Sequence, residues 1–398
     1  MTVIDGPSSS LIVPVHPAES PARAAGFSRS PQENALDTQP APSSIAPDDR
    51  STADVLLQPY RLNDTFTLAN RVVMAPMTRS FADDDLVPTE AMARYYARRA
   101  DVGLIISEAT IVRPDGQGYP NTPGLFTAAQ VEGWRRVTAA VHERGGLIFA
   151  QLWHVGRVSH PCYLNGDVPV APSAVPLSGR VPRTDGLHYG RPRALERDEL
   201  PGLVAAFADA AEAALRGGFD GVEIHGANGY LLDQFLHAHT NRRSDDYGAA
   251  AADRARFPLE VIDAVIERIG GDRTGLRLSP GAYMNMEAHE SDGLTFRQLL
   301  GELARRHVAW VQTGVFDDST RFETLGGTAG EFLRQHWNGT LIGNGSYSPS
   351  KAANALSAGA MDLISIGRPL IANPDLVQKI ARSEALLPYE AAMLTTLD

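Results

Sequence analysis

Asp220-Gly-Val-Glu-Ile-His-Gly-Ala-Asn-Gly-Tyr-Leu231 is an apolar run bounded by glycines that ends in three polar side chains. A short stretch of β-formers between glycines reads as a buried strand. His225, Asn228 and Tyr230 stand at its carboxyl end, which is where a barrel of parallel strands carries its chemistry. Whether that end is an active site depends on whether the rest of the chain supplies the barrel.

From Arg71 onward, short apolar runs alternate with polar turns and amphipathic helices, the rhythm of parallel strands joined by helical crossovers. The predicted strands are Val72 to Ala75, Leu104 to Ser107, Leu147 to Gln151, Gly221 to His225, Thr274 to Leu278, Ala309 to Thr313, Thr340 to Gly343 and Leu363 to Ile366. The predicted helices are Thr89 to Arg99, Ala128 to Glu143, Asp198 to Arg216, Asp253 to Ile269, Thr295 to Arg306, Glu331 to His336, Pro349 to Ala358 and Pro374 to Arg382. Thr127, Ser348 and Asn373 are candidate N-caps, and Pro349 and Pro374 suit a first helical position. Eight strands each followed by a helix predict a single (β/α)8 TIM barrel over residues 51–398. An open doubly wound sheet would carry a glycine fingerprint after its first strand, where this chain reads Ala75-Pro-Met-Thr78.

The 398 residues are 43% hydrophobic with a net charge of −11, and no apolar run approaches the ~20 residues of a membrane span. An acidic balance argues against nucleic acid and anionic membrane as partners and leaves a small-molecule substrate. The single Cys162 excludes an internal disulfide, a CxxC pair and a Cys-ligated iron–sulfur cluster, and it fits a cytoplasmic setting. Residues 1–50, rich in Pro, Ser and Ala, predict a disordered or loosely packed extension. The connection from Leu152 to Leu195 is long enough to predict a functional cover over the barrel mouth.

Barrels often bind phosphate on the loops after strands seven and eight. Here those loops read Ile342-Gly343-Asn344-Gly345-Ser and Ile366-Gly367-Arg368-Pro. Glycines let backbone N–H groups approach an anion, and Arg368 adds a permanent charge, although glycines also simply permit tight turns. Thr78, Gln151 and Arg277 reach the same mouth from strands one, three and five; an inward Arg277 calls for an anionic or carbonyl-rich partner. His225 and Asn228 are spaced to direct two N–H donors at one oxygen, and Tyr230 can deliver a proton. No carboxylate or cysteine repeats at metal-ligand spacing beside His237 and His239, so no metal is predicted.

With these residues quoted, the chain resembles the Old Yellow Enzyme family of FMN-dependent NAD(P)H:flavin oxidoreductases, the ene-reductases, over about residues 55 to 390. The resemblance rests on motifs in order: Asn70-Arg-Val-Val-Met-Ala-Pro-Met-Thr-Arg79, Ser107-Glu-Ala-Thr110, Gln151-Leu-Trp-His-Val-Gly-Arg157, His225-Gly-Ala-Asn-Gly-Tyr230, Asn241-Arg-Arg-Ser-Asp-Asp-Tyr-Gly248, Leu276-Arg-Leu-Ser-Pro280 and Gly367-Arg-Pro-Leu-Ile-Ala-Asn-Pro-Asp375. Thr78 implies the branch that carries Thr rather than Cys at that position.

The resemblance implies FMN across the mouth, bordered by Ala75, Pro76, Met77, Thr78 and Ala109. Gln151, Arg277 and His225 would face its ring, and Gly343, Asn344, Gly345, Gly367 and Arg368 its phosphate. It implies NADPH or NADH as reductant and an α,β-unsaturated carbonyl or nitro compound as substrate. His225 and Asn228 would hold its oxygen, Tyr230 would give the proton, and Thr78 and Trp153 would shape the pocket. Three stretches depart from the family pattern: Tyr247 to Arg254, Gly281 to Asp292 with Met284, Met286 and His289, and the C-terminal end, which lacks the family's aromatic gate motif and has only Tyr389 near it. The competing readings are a flavin-free barrel lyase or isomerase acting on a phosphorylated metabolite, and a barrel kept for binding. A monomer or a homodimer is expected, and neither the physiological substrate nor the choice of nicotinamide is legible.

Overall fold

Eight parallel strands close into a barrel in chain order. In the computed structural model, which describes residues 54–282 and 286–397, they are β1 (Val72–Met74), β2 (Leu104–Ile111), β3 (Ile148–Trp153), β4 (Gly221–Gly226), β5 (Thr274–Leu278), β6 (Trp310–Thr313), β7 (Leu341–Asn344) and β8 (Leu363–Ile366). β8 pairs with β1 through Ile364 and Val72, which completes the cylinder. The expectations for residues 1–50 and for Met284 lie outside the described residues.

Around the strands lie α1 (Glu90–Ala97), α2 (Ala128–His142), α3 (Leu200–Arg216), α4 (Leu231–Leu236), α5 (Ala251–Ile269), α6 (Asp292–Leu303), α7 (Ala329–His336), α8 (Pro349–Ser357), α9 (Arg368–Ala372) and α10 (Leu376–Arg382). Thr127 caps α2 by accepting from the Gln130 N–H at 3.2 Å, while the Gln130 side chain accepts from the Thr127 N–H at 3.1 Å. Ser348 caps α8 by accepting from the Lys351 N–H at 3.2 Å, with no reciprocal bond, and Pro349 lies in the first turn. The expected cap at Asn373 is corrected. Residues 368–372 already coil into α9, Asn373 closes that helix, and its amide donates to the carbonyls of Pro369 and Leu387. α10 therefore starts at Leu376 behind Asp375, and Pro374 is not its first residue. Among the described residues no helix is long and apolar enough to cross a membrane.

Large side chains fill the lower barrel because small ones make room for them. A Cβ on Gly275 would lie 2.1 Å from the Trp310 indole, so that position must be glycine for Trp310 to cross the axis. Trp310 packs on Phe149 with ring centroids 4.9 Å apart, and Phe149 meets Phe66 edge-on at 5.5 Å. Phe66 belongs to a small antiparallel hairpin, Tyr60–Arg61 against Thr67–Leu68, which stoppers the amino-terminal end of the barrel. The opposite end is left for polar groups.

Candidate active site

Register fixes what faces the mouth. His225 on β4 pairs with Arg277 on β5, and Gln151 on β3 pairs with both Ala109 on β2 and Glu223 on β4. Beyond β4 the chain turns through Asn228 at φ 59°, a left-handed conformation that Asn tolerates better than most residues. The Asn228 N–H donates to Ser279 Oγ at 2.8 Å, and the Gly229 N–H donates to Asp233 Oδ2 at 2.8 Å. Tyr230 then stands at the cap of α4.

The structure brings His225 and Tyr230 together, with ring centroids 5.1 Å apart. Trp153 meets Tyr230 edge-on at 4.9 Å and stacks on Tyr119 at 5.5 Å, and the Tyr119 and Tyr230 hydroxyls share a 3.1 Å hydrogen bond. Leu177 and Tyr189, from the long connection after β3, join this aromatic group, so that connection lies at the mouth. Asn228 is placed less simply: its amide nitrogen donates to the Gly314 carbonyl. An amide carries two N–H donors, and only one is needed there.

Burial, then the Arg277 charge, pushes the His225 pKa well below its ordinary value, so the imidazole is neutral at neutral pH. Burial, then the neighbouring Tyr119, drives Tyr230 well above its ordinary value. It keeps its proton until a strong base forms beside it.

Beneath His225 lies Glu223, fully buried. It accepts from Gln151 Nε2 at 2.8 Å and from Trp310 Nε1 at 3.0 Å. With the Gln312 amide oriented nitrogen-inward it also receives that donor at 2.7 Å, while the Gln312 oxygen accepts from Ser365 Oγ at 2.8 Å. Desolvation raises the Glu223 pKa and the Arg277 charge opposes the rise. This carboxylate locks Gln151 in orientation and gives Arg277 a counter-charge.

The remaining sequence-predicted residues gather at the same end. The Ala75 N–H donates to the Ile366 carbonyl at 3.0 Å, and the Met77 sulfur lies 3.4 Å from the Cβ position of Gly367. Pro76 and Thr78 are partly buried, on a loop pinned where Glu108 Oε2 accepts from the N–H groups of Arg79 and Ser80 at 3.1 Å each. Gly343 and Asn344 end β7, and the Asn344 amide donates to the Val315 carbonyl at 2.6 Å. Gly345 has φ 141°, and a Cβ there would lie 2.4 Å from the Asp318 nitrogen, so only glycine holds this loop. Arg368 opens α9 with its guanidinium 5.5 Å from the Tyr389 ring centre.

Sequence reasoning missed Glu223, Tyr119, Gln312 and Asp233. Glu223 stands two residues before His225, and strand alternation alone puts it on the same face. Asp233 precedes His237 by one helical turn, a spacing visible in α4. Tyr119 sits in a loop with no periodic signal.

The family model for the NADH:flavin oxidoreductase / NADH oxidase family matches residues 55–386. The chain belongs to that family. The chain is also 39% identical to the "Probable flavin mononucleotide-dependent alkene reductase" of Leishmania infantum, over 86% of this chain and 95% of that protein. Among solved structures it resembles the old yellow enzyme homologue of Zymomonas mobilis, at 40% identity with a TM-score of 0.80, covering 85% of this chain and 96% of that one. It resembles morphinone reductase in complex with tetrahydroNAD at 43% identity and TM-score 0.79, covering 85% and 93%. A flavin-free lyase or isomerase finds no support beside these relatives.

FMN fits what the mouth leaves unsatisfied. His225 Nδ1, Arg277 Nε and Trp153 Nε1 are buried without hydrogen-bond partners, and buried polar groups ordinarily have them. Arg277 and Gln151 offer donors to a ring with carbonyl and N–H edges.

Proposed function

We propose that His225, Asn228 and Tyr230 are the substrate-handling residues of this FMN-dependent ene-reductase, and that they act on the activated C=C bond of α,β-unsaturated carbonyl compounds, with nitroalkenes as a second class. The observation that carries this reading is the neutral, desolvated His225 with an unpartnered nitrogen, in ring contact with the protonated Tyr230. The hydride is supplied by bound FMN, recharged by NADH or NADPH. His225 donates one hydrogen bond to the substrate oxygen, and Asn228 the second through the N–H not engaged by Gly314. In a site with little water such donors withdraw charge strongly, which makes the β-carbon electrophilic. Tyr230 then protonates the α-carbon, and the hydrogen-bonded Tyr119 hydroxyl passes a proton to the phenolate left behind and is itself reprotonated from solvent. Trp153 and Thr78 bound the pocket, and Ala75 to Thr78, Ala109, Gln151, Arg277, Gly343 to Gly345, Gly367 and Arg368 hold the cofactor.

Residues 51–398 form the catalytic unit in this reading, working in the cytoplasm as a monomer or homodimer. The test is direct. Purified protein shows flavin absorption, and His225→Ala and Asn228→Ala each weaken binding of 2-cyclohexen-1-one, followed by perturbation of that spectrum, by roughly 10- to 100-fold. Unchanged enone affinity in both variants would overturn the assignment.

A further inference from the structure

Behind the clamp, His237 lies fully buried between two carboxylates. Its Nε2 is 3.2 Å from Asp233 Oδ1 and its Nδ1 is 3.1 Å from Asp292 Oδ2, and all three side chains are at most 1% exposed. Asp233 has a second task. Its Oδ2 accepts from the Gly229 N–H at 2.8 Å and from Ser279 Oγ at 2.9 Å, and that same Ser279 oxygen accepts from the Asn228 N–H at 2.8 Å. Asp292 opens α6 and accepts from the N–H groups of Ala238 and His289. A set of contacts thus runs from the first turn of α6 to the left-handed Asn228, hydrogen-bonded except at the step from His237 Nε2 to Asp233 Oδ1, which is an ion pair without hydrogen-bond geometry.

We infer that Asp292, His237 and Asp233 form a positioning triad for the substrate clamp, tying α6 to the turn that carries Asn228; this rests on the clamp reading above. His237 touches no substrate and acts through Asp233. Although burial opposes it, Asp233 first and Asp292 second raise the His237 pKa to about 9. The other groups on this side are few. From α5, Arg254 bonds Thr295 and Ser291 and adds positive charge near Asp292. His239 is a weakly opposing neighbour facing Glu287, His289 bonds Ser291, and α6 otherwise contributes the Phe296 ring, 5.2 Å from the imidazole centre.

The sign follows from linkage. A His whose folded pKa lies above its unfolded value of ~6.5 stabilises fully below that pH, and the contribution is lost as pH rises through about 9. Above that pH, Asp233 and Asp292 face each other as buried carboxylates with no cation between them, and their repulsion displaces Asp233 from its place against Gly229 and Ser279.

The experiment uses FMN-loaded enzyme reduced with NADPH and reoxidised by 2-cyclohexen-1-one in stopped flow from about pH 6 to pH 10. It yields both the enone Kd and the limiting rate. Wild-type Kd rises roughly ten-fold across the alkaline limb. His237→Gln shows that weakened Kd already at neutral pH and has no limb, and its limiting rate changes less than its Kd. Ser279→Ala cuts the link from Asp233 to Asn228 while keeping the ion pairs, so it reproduces the Kd loss even if His237→Gln does not fold. Wild-type Kd in folded His237→Gln, or in Ser279→Ala, overturns the inference. Asn228→Ala separates the two levels. If it too keeps its enone affinity, the clamp reading has failed; if it alone loses affinity, only the triad has.

Discussion

His225 and His237 stand at the two ends of one strand–turn–helix segment and are driven in opposite directions, the first by burial beside Arg277 and the second by two carboxylates. Below the unfolded pKa of ~6.5 the unfolded chain binds a proton that folded His225 refuses, so stability falls as pH drops through that range. His225→Asn should flatten this acid limb of Tm against pH in scanning calorimetry, and an unchanged limb would refute the neutral imidazole. Tyr230→Phe removes the only proton assigned to the α-carbon. Alkene reduction should slow by roughly 10²- to 10⁴-fold, while NADPH still bleaches the flavin at a near wild-type rate in stopped flow. Equal slowing of both half-reactions would contradict the role. That His225 and Tyr230 would stand together was legible in the sequence because both crowd one strand end. Glu223 was not, because an acid inside an apolar run looks like a solvent-facing interruption until strand alternation is applied. Asn228 also differs in detail: its spacing suggested an amide free to face the same oxygen as His225, and the fold commits one of its two N–H donors to Gly314.

Elements are where sequence pattern was strongest, and the exceptions share a cause. All eight strands and their crossover helices were legible, the strands as short continuous apolar runs buried on both faces and the helices by their 3.6-residue period. α4 and α9, of six and five residues, and the two-residue strands of the hairpin are too short to show one. Asn373 was misread because a polar residue before Pro fits a helix start as well as a helix end. Two substitutions test the packing described for these elements. Gly275→Ala drives a methyl into the Trp310 ring and should cost about 1–3 kcal/mol, the usual range for overpacking, seen as a lower denaturant midpoint at constant m-value. Thr127→Ala removes a capping box and should cost about 1 kcal/mol by the same measurement.

At the scale of the whole molecule, the unsatisfied donors at the mouth make the barrel's stability a function of its cofactor. Apoprotein titrated with FMN should gain about 1.4 kcal/mol of stability for every ten-fold excess over Kd, so calorimetric Tm should climb with FMN concentration; a Tm indifferent to FMN would mean the unpartnered His225 and Arg277 atoms are not its ligands. The hairpin at the other end has a consequence in time. Tyr60 bonds Thr340 and Asn63 bonds the carbonyl of Asp272, contacts separated by 280 and 209 residues, and β1 finds its second neighbour only in β8. A chain emerging from the ribosome amino end first thus makes its stopper and its opening strand long before either has anything to grip. Closure waits for the last strand to be synthesised, and until then Val73, Phe66 and Leu68 remain exposed apolar surface of the kind on which chaperones act.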